Sequence, residues 1–333
     1  MTPQQKPGSN ISRGTIIVLL ILAAMTFGFV TYRQGIIDYV RAYQFTPSEK
    51  ITSIEQDLKL TPHGAHLFKA SQPKLETSST FNTSCNQKTE TDNPILGCYA
   101  GQNIYIFDVT TAKLAGIEQT TAAHELLHAV YERLSTSERA SLDAEIQAVY
   151  QRVKTDELAK RMEHYQKTEP GEELNELHSI LGTEFDSVGD VLEAHYKKYF
   201  TNRAEVLAFN KQYNGVFTSI SARLKQLADT INSSVETINQ QIRTHNQAVK
   251  QLEADQAAFV AKNRSGGFTS QTTFDREQQA LNTRASQLND ERDQIAAAIA
   301  TSNALRDEYN ALAKEYNELN QSMNSSLAPK PSL

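Results

Sequence analysis

The sequence predicts a mostly helical α+β protein: a single N-terminal transmembrane helix, a small domain with a short sheet, and a long antiparallel coiled-coil hairpin. Three observations carry this expectation. No charge interrupts the chain between Arg13 and Arg33. One stretch dense in strand formers, Asn103-Ile-Tyr-Ile-Phe-Asp-Val109, stands among segments of helical periodicity. From about 203 to 325 proline is absent, glycine is scarce, and apolar residues recur at steps of three and four.

Residues 1–13 form a polar tail containing Pro and Gly, expected in the cytoplasm. Residues 14–32 are almost wholly apolar, and as helix they span about 29 Å, the thickness of a bilayer hydrocarbon core. A cleaved signal peptide would have a shorter apolar region ending in a small-x-small site. This run ends instead in Phe-Gly-Phe-Val-Thr-Tyr32, so an uncleaved anchor is expected. Lys6 and Arg13 before the segment are balanced by Arg33 and Arg41 after it, so flanking charge does not set the orientation. The two cysteines, Cys85 and Cys98, do. Close in sequence in a cysteine-poor chain, they predict a disulfide and place the bulk of the protein outside the cytoplasm. A net charge of −6 argues against a nucleic-acid partner.

A domain is expected over 46–202. Thr46-Pro47-Ser48-Glu49 reads as a helix start with Thr46 as N-cap, and Thr61-Pro62 as a second. Residues 71–97, rich in Ser, Thr, Asn and Pro, read as loop. After the strand at 103–109 comes a helix over 117–133 that is apolar nearly all round and therefore buried. Ser135-Thr-Ser-Glu138 is a capping box for a helix to about 165. Pro170-Gly171 breaks the chain. A further helix starts near Glu172, is interrupted around Gly182, and resumes to about 200.

The buried helix carries His124-Glu125-Leu126-Leu127-His128. Residues i and i+4 share a helix face, so His124 and His128 can direct two imidazoles at one metal ion. Glu125 beside them is placed to act as the general base of a hydrolase, and zinc is the expected ion. Structural histidines on a core helix are the bland alternative, but a core has no need for two His and a Glu in this order. Zinc wants a third protein ligand. Position 134 is Leu, so the ligand must come from further on, and Asn175-Glu176-Leu-His178-Ser179-Ile-Leu-Gly182-Thr-Glu184 is the downstream stretch dense in candidates: Glu176, Glu184 and His178. His195, Tyr196 and Tyr199 are candidate donors to a developing oxyanion. His63, His66, His164 and His245 read as structural or surface residues.

The stretch from about Phe81 to Arg203 resembles bacterial membrane-anchored proteins of the zincin type. The residues that carry the likeness are Phe81-Asn82…Cys85, Leu96-Gly97-Cys98-Tyr99, Ile104-Tyr105-Ile106, Thr120-Thr-Ala-Ala-His124-Glu-Leu-Leu-His128-Ala129, Thr168-Glu-Pro-Gly171, Asn175-Glu-Leu-His-Ser179, Gly182-Thr-Glu184 and Tyr196-Lys-Lys-Tyr-Phe200. Asn175-Glu176-x-x-Ser179 is similar to the third-ligand helix of the thermolysin-like gluzincins, which makes Glu176 the favoured third ligand. Those proteins carry Asp after the Ser, where this chain has Ile180. The resemblance implies a zinc-dependent peptidase, and it implies that the strand 103–109 is the sheet edge on which a polypeptide substrate adds as a further strand.

In the hairpin over 203–325, Phe217, Ile220, Leu224, Leu227 and Ile231 begin one seam, and Leu281, Ala285, Leu288, Ile295 and Ile299 lie on the other. Asn263-Arg-Ser-Gly-Gly267 is the turn between them. Such a hairpin can bury its own seams, pair with a second copy, or receive a partner helix. Residues 326–333 read as a disordered tail. Two functions compete: a peptidase acting on an extracytoplasmic polypeptide, or a non-enzymatic envelope scaffold or peptide-binding protein with a structural zinc domain.

Overall fold

A computed structural model describes residues 32–85 and 95–324, together with Gly14 and Val18. The expected membrane segment at 14–32 therefore falls almost wholly outside the described residues. Among those described, no helix is long and apolar enough to cross a membrane. The protein is mostly helical with one small three-stranded sheet, and it divides into two compact units at Asn214/Gly215 and at Asn320/Gln321.

In the first unit, α1 (32–44) is followed by α2 (Glu49–Asp57) and α3 (Pro62–Ala70). Ser48, not Thr46, caps α2: its hydroxyl accepts from the Ile51 amide, two residues later than the sequence suggests. Thr61 caps α3 as expected, with Pro62 in the first turn. The stretch expected as loop after residue 71 holds β1 (Lys74–Glu76) and α4 (Ser78–Ser84). A hairpin of β2 (Gly97–Ala100) and β3 (Asn103–Phe107) follows, turning through Gly101 and Gln102, both at positive φ.

The strand order is β1-β3-β2. β3 pairs in parallel with β1 (Leu75 opposite Ile106) and antiparallel with β2 (Tyr99 opposite Ile104). The strand at 103–107 is thus central, with both of its edges already paired. That corrects the expectation that it is the substrate-binding edge; the antiparallel edge is β2. A disulfide joins Cys85, just after α4, to Cys98 in β2.

The core lies between this sheet and the helices α5 (Ile117–Glu132), α6 (Thr136–Val153), α7 (Asp156–Thr168), α8 (Glu173–Glu184) and α9 (Asp190–Tyr196). Ile104 and Ile106 of β3 meet Ala122, Ala123, Leu126 and Leu127 of α5, with Ile180 and Leu181 of α8 in the same cluster. The Ser135–Glu138 capping box forms as expected. The helix expected to run to 165 instead breaks at Lys154, and Thr155 caps α7 by accepting from the Leu158 amide. Gly182 does not interrupt its helix; α8 continues to Glu184, and the break falls before α9.

The unit extends past the expected boundary at 202. Arg203, Val206, Leu207 and Asn210, in the first turns of α10 (Arg203–Arg264), are buried. In the second unit, Gly215–Asn320, α10 and α11 (Gln271–Ser322) form an antiparallel helical hairpin. The pairs Phe217–Tyr316, Arg223–Glu308, Asp255–Arg284 and Lys262–Glu277 fix its register. Phe259, Phe268 and Phe274 pack together at the turn.

Candidate metal centre

Helix α5 starts at Gly116, whose φ of 98° suits only glycine. A Cβ there would also stand 2.7 Å from the Phe209 carbonyl oxygen. From this start Thr120, Ala122, Ala123 and Glu125 through Tyr131 are buried, so α5 runs through the core with little freedom to rotate. Helix α8 lies close against it, because Gly182 has no side chain. A Cβ at 182 would stand 2.3 Å from Leu127 Cδ1 and 2.9 Å from the Tyr196 ring.

That close approach brings the buried Glu176 carboxylate to the two imidazoles. His124 Nε2 lies 3.6 Å from Glu176 Oε2, and His128 Nε2 lies 3.5 Å from Glu176 Oε1. One ligand atom from each of the three residues falls within 4.8 Å of the others. Atoms bound to a tetrahedral ion at about 2.1 Å stand about 3.4 Å apart, close to the distance of each imidazole Nε2 from its own oxygen of the Glu176 carboxylate. Both distances exceed the 2.7–3.2 Å typical of a direct N–H···O contact. The group can hold a metal ion, and the resident carboxylate and imidazole donors suit zinc chemically.

Hydrogen bonds assign the His128 tautomer. Asn175 Nδ2 donates to Glu172 Oε2 at 2.9 Å, which turns Asn175 Oδ1 toward His128 Nδ1 at 3.0 Å. An amide oxygen only accepts, so Nδ1 carries a hydrogen, and in the neutral ring the lone pair that could bind a metal is on Nε2, which faces Glu176. At His124, burial works against the charged ring, but the Glu176 and Glu125 carboxylates outweigh it and hold the pKa above the ordinary histidine value.

Glu125 is buried beside these three residues, and β2 passes directly over it. A Cβ at Gly97 would stand 2.6 Å from Glu125 Oε1 and 2.5 Å from Thr121 Cγ2. The glycine lets the edge strand approach the helix at the general-base candidate.

The other two candidate ligands are engaged elsewhere. Glu184 makes a bidentate ion pair with Arg161, at 2.8 and 2.7 Å. His178 Nε2 lies 2.9 Å from His195 Nε2, and burial holds the pKa of both rings down, that of His195 to about 4. Of the candidate oxyanion donors, Tyr196 is fully buried and donates to the His178 carbonyl at 2.8 Å. His195 is taken by His178, and the Tyr199 ring packs against His195 and His63. His245 lies in the hairpin, 3.5 Å from Glu291.

The sequence assigns no role to three neighbours of the site, although Asn175 stands in the motif around Glu176. Asn175 orients His128. The Arg161 guanidinium lies near enough to oppose a proton on His124. Tyr165 has its hydroxyl pKa raised by burial first and by the Glu176 charge second. Arg161 and Tyr165 reach the site from α7, whose placement depends on the break at Lys154.

No protein-family model matches the sequence, and neither a curated protein nor a solved structure matches it.

Proposed function

We propose that this protein is a zinc-dependent peptidase, anchored in a membrane by residues 14–32, that hydrolyses peptide bonds of an extracytoplasmic polypeptide. The observation that carries the reading is the convergence of His124, His128 and Glu176 beside the buried Glu125. A metal ion on its own explains the three ligands. It does not explain a fourth, non-ligating carboxylate next to them under a sheet edge.

His124, His128 and Glu176 would hold the zinc ion, which would supply Lewis acidity for the hydrolysis. Glu125 acts as the general base: it takes a proton from the attacking water and returns it to the leaving amine as the C–N bond breaks. Among the described strands β2 pairs only with β3, and its outer edge is where an extended substrate would add as a further strand, with the peptide bond near Glu125. Asn175 keeps His128 in its ligating tautomer. Tyr165, with its pKa raised, stays protonated at neutral pH as a hydrogen-bond donor near Glu176.

The Cys85–Cys98 disulfide supports an oxidising compartment for this domain, with the N-terminus in the cytoplasm. The hairpin of α10 and α11, with its two apolar seams, is read as a coiled coil that buries itself and has room for a second copy or a partner helix.

The test is made on the full chain in detergent. Metal content should approach one zinc per chain for the wild type and fall to background for Glu176→Ala. A peptide library should be cleaved by the wild type and left intact by Glu125→Gln, which keeps its zinc. A wild-type chain that takes up no stoichiometric metal refutes the reading.

A further inference from the structure

Helix α1 presents its faces in the reverse of the usual order for a helix on a globular domain. Its polar face points inward. Asp38 is buried and receives Arg133 through Nε at 2.9 Å and Nη2 at 2.8 Å. Gln34 donates to the same carboxylate at 3.0 Å. Arg41 donates to the carbonyls of Ala70 and Gln102 and to Asn103 Oδ1, at 2.7, 2.9 and 2.7 Å. The outward face is apolar and aromatic: Tyr32, Ile36, Tyr39, Val40 and Tyr43, with Tyr39 67% and Tyr43 83% exposed. Steps of 4, 3, 1 and 3 at about 100° per residue gather these five side chains into one arc of about 100°. Among the described residues, α1 alone carries five of the ten exposed large apolar side chains.

A row of exposed apolar side chains marks a contact surface. Its position in the chain identifies the occupant. The row begins at Tyr32, where the charge-free run from residue 14 ends, and three of its five members are tyrosine, the residue type enriched where hydrocarbon meets headgroups. We infer that the outward face of α1 lies in the interfacial layer of the same bilayer that receives residues 14–32. This rests on the anchor reading above. The polar face is clamped to Arg133, at the C-terminal end of α5, and Arg133 also donates to the Tyr99 hydroxyl on β2 at 2.8 Å. The contact therefore holds the metal-site helix and the edge strand at a fixed attitude to the membrane, and favours substrates presented close to it.

The chain contains no tryptophan, so a single introduced indole reports on this face alone. Tyr39→Trp and Tyr43→Trp are made in the full chain and reconstituted into phosphatidylcholine–phosphatidylglycerol vesicles, with and without bromine on the acyl chains near the headgroup. Both positions are exposed, so folding is kept, which circular dichroism checks. Cosedimentation with the vesicles, together with emission quenched about twofold or more by brominated lipid, is the expected result for an indole at the interface. Protein that cosediments but is not quenched at either position overturns the inference and leaves the anchor standing. Emission that is blue-shifted, unquenched by bromine and lost on dilution among excess vesicles assigns the face to a second copy and also overturns it. Protein that stays in the supernatant overturns the anchor and the interfacial face together.

Discussion

Among the residues of the site, Glu125 and Asn175 can be told apart by what their removal does. Glu125 is not among the three grouped ligands, so Glu125→Gln should lower turnover by roughly 100- to 10,000-fold while metal content, read by elemental analysis, stays at the wild-type level. Asn175 touches the metal group through His128 Nδ1. Asn175→Ala frees that ring to take the other tautomer and should weaken metal affinity by about 10- to 100-fold in a chelator competition assay. Asn175→Asp keeps an acceptor for His128 Nδ1 but sets its second oxygen against the Glu172 carboxylate in place of the donated hydrogen bond, so it should restore the affinity only in part. The imidazole pair was legible in the sequence because a four-residue step on a helix fixes a shared face whatever surrounds it. The third member of the candidate metal group was not legible from spacing alone. Glu176 and Glu184 are both carboxylates on α8, and only the pairing of Glu184 with Arg161 across to α7 removes it from the contest. His178 is removed in the same way, by a partner seventeen positions away.

At the scale of elements, the site depends on two close approaches that glycine permits. One brings α8 to α5 at Gly182; the other brings β2 to α5 at Gly97. Gly97→Ala puts a methyl group 2.6 Å from Glu125 Oε1, so either the strand or the carboxylate must move. The expected outcome is a loss of about 1–3 kcal/mol in urea-induced unfolding, with turnover reduced and metal content unchanged, since Glu125 is displaced and the ligands are not. Gly215→Ala, with nothing within 4 Å of the new methyl, is the matched control and should be neutral or slightly stabilising. Helices with their own caps were readable from sequence: Thr61 starts α3 and Ser135 starts α6 because capping is decided within four residues. β1 was not readable. Lys74-Leu75-Glu76 has no strand pattern and becomes a strand only because β3 offers it a parallel partner. The central position of β3 was hidden for the same reason.

For the molecule as a whole, the buried histidines make folding sensitive to acid in a direction that can be worked out. His195 stays neutral down to about pH 4 because burial, and then the Lys198 charge, oppose its protonation. In the unfolded chain the same ring takes its proton near pH 6.5. Between these values the unfolded state binds the extra proton, so stability contributed by the neutral ring is fully present above pH 6.5 and is lost as pH falls toward 4. The full loss for this one group is at most about 3 kcal/mol. His178 acts in the same direction, since its pKa is also held down by burial. His124 acts in the opposite direction in metal-free protein, because its pKa is raised and a proton there favours the folded state. The His195 contribution is isolated by difference. His195→Gln keeps a hydrogen-bonding group opposite His178 Nε2 but cannot titrate. Urea midpoints of the wild type and the variant, measured on metal-free protein from pH 7.5 to pH 4, should diverge below pH 6.5, with the wild type losing stability faster. Parallel curves across that range would mean that His195 takes its proton in the folded protein as readily as in the unfolded chain, and that the contact between α8 and α9 is open to water.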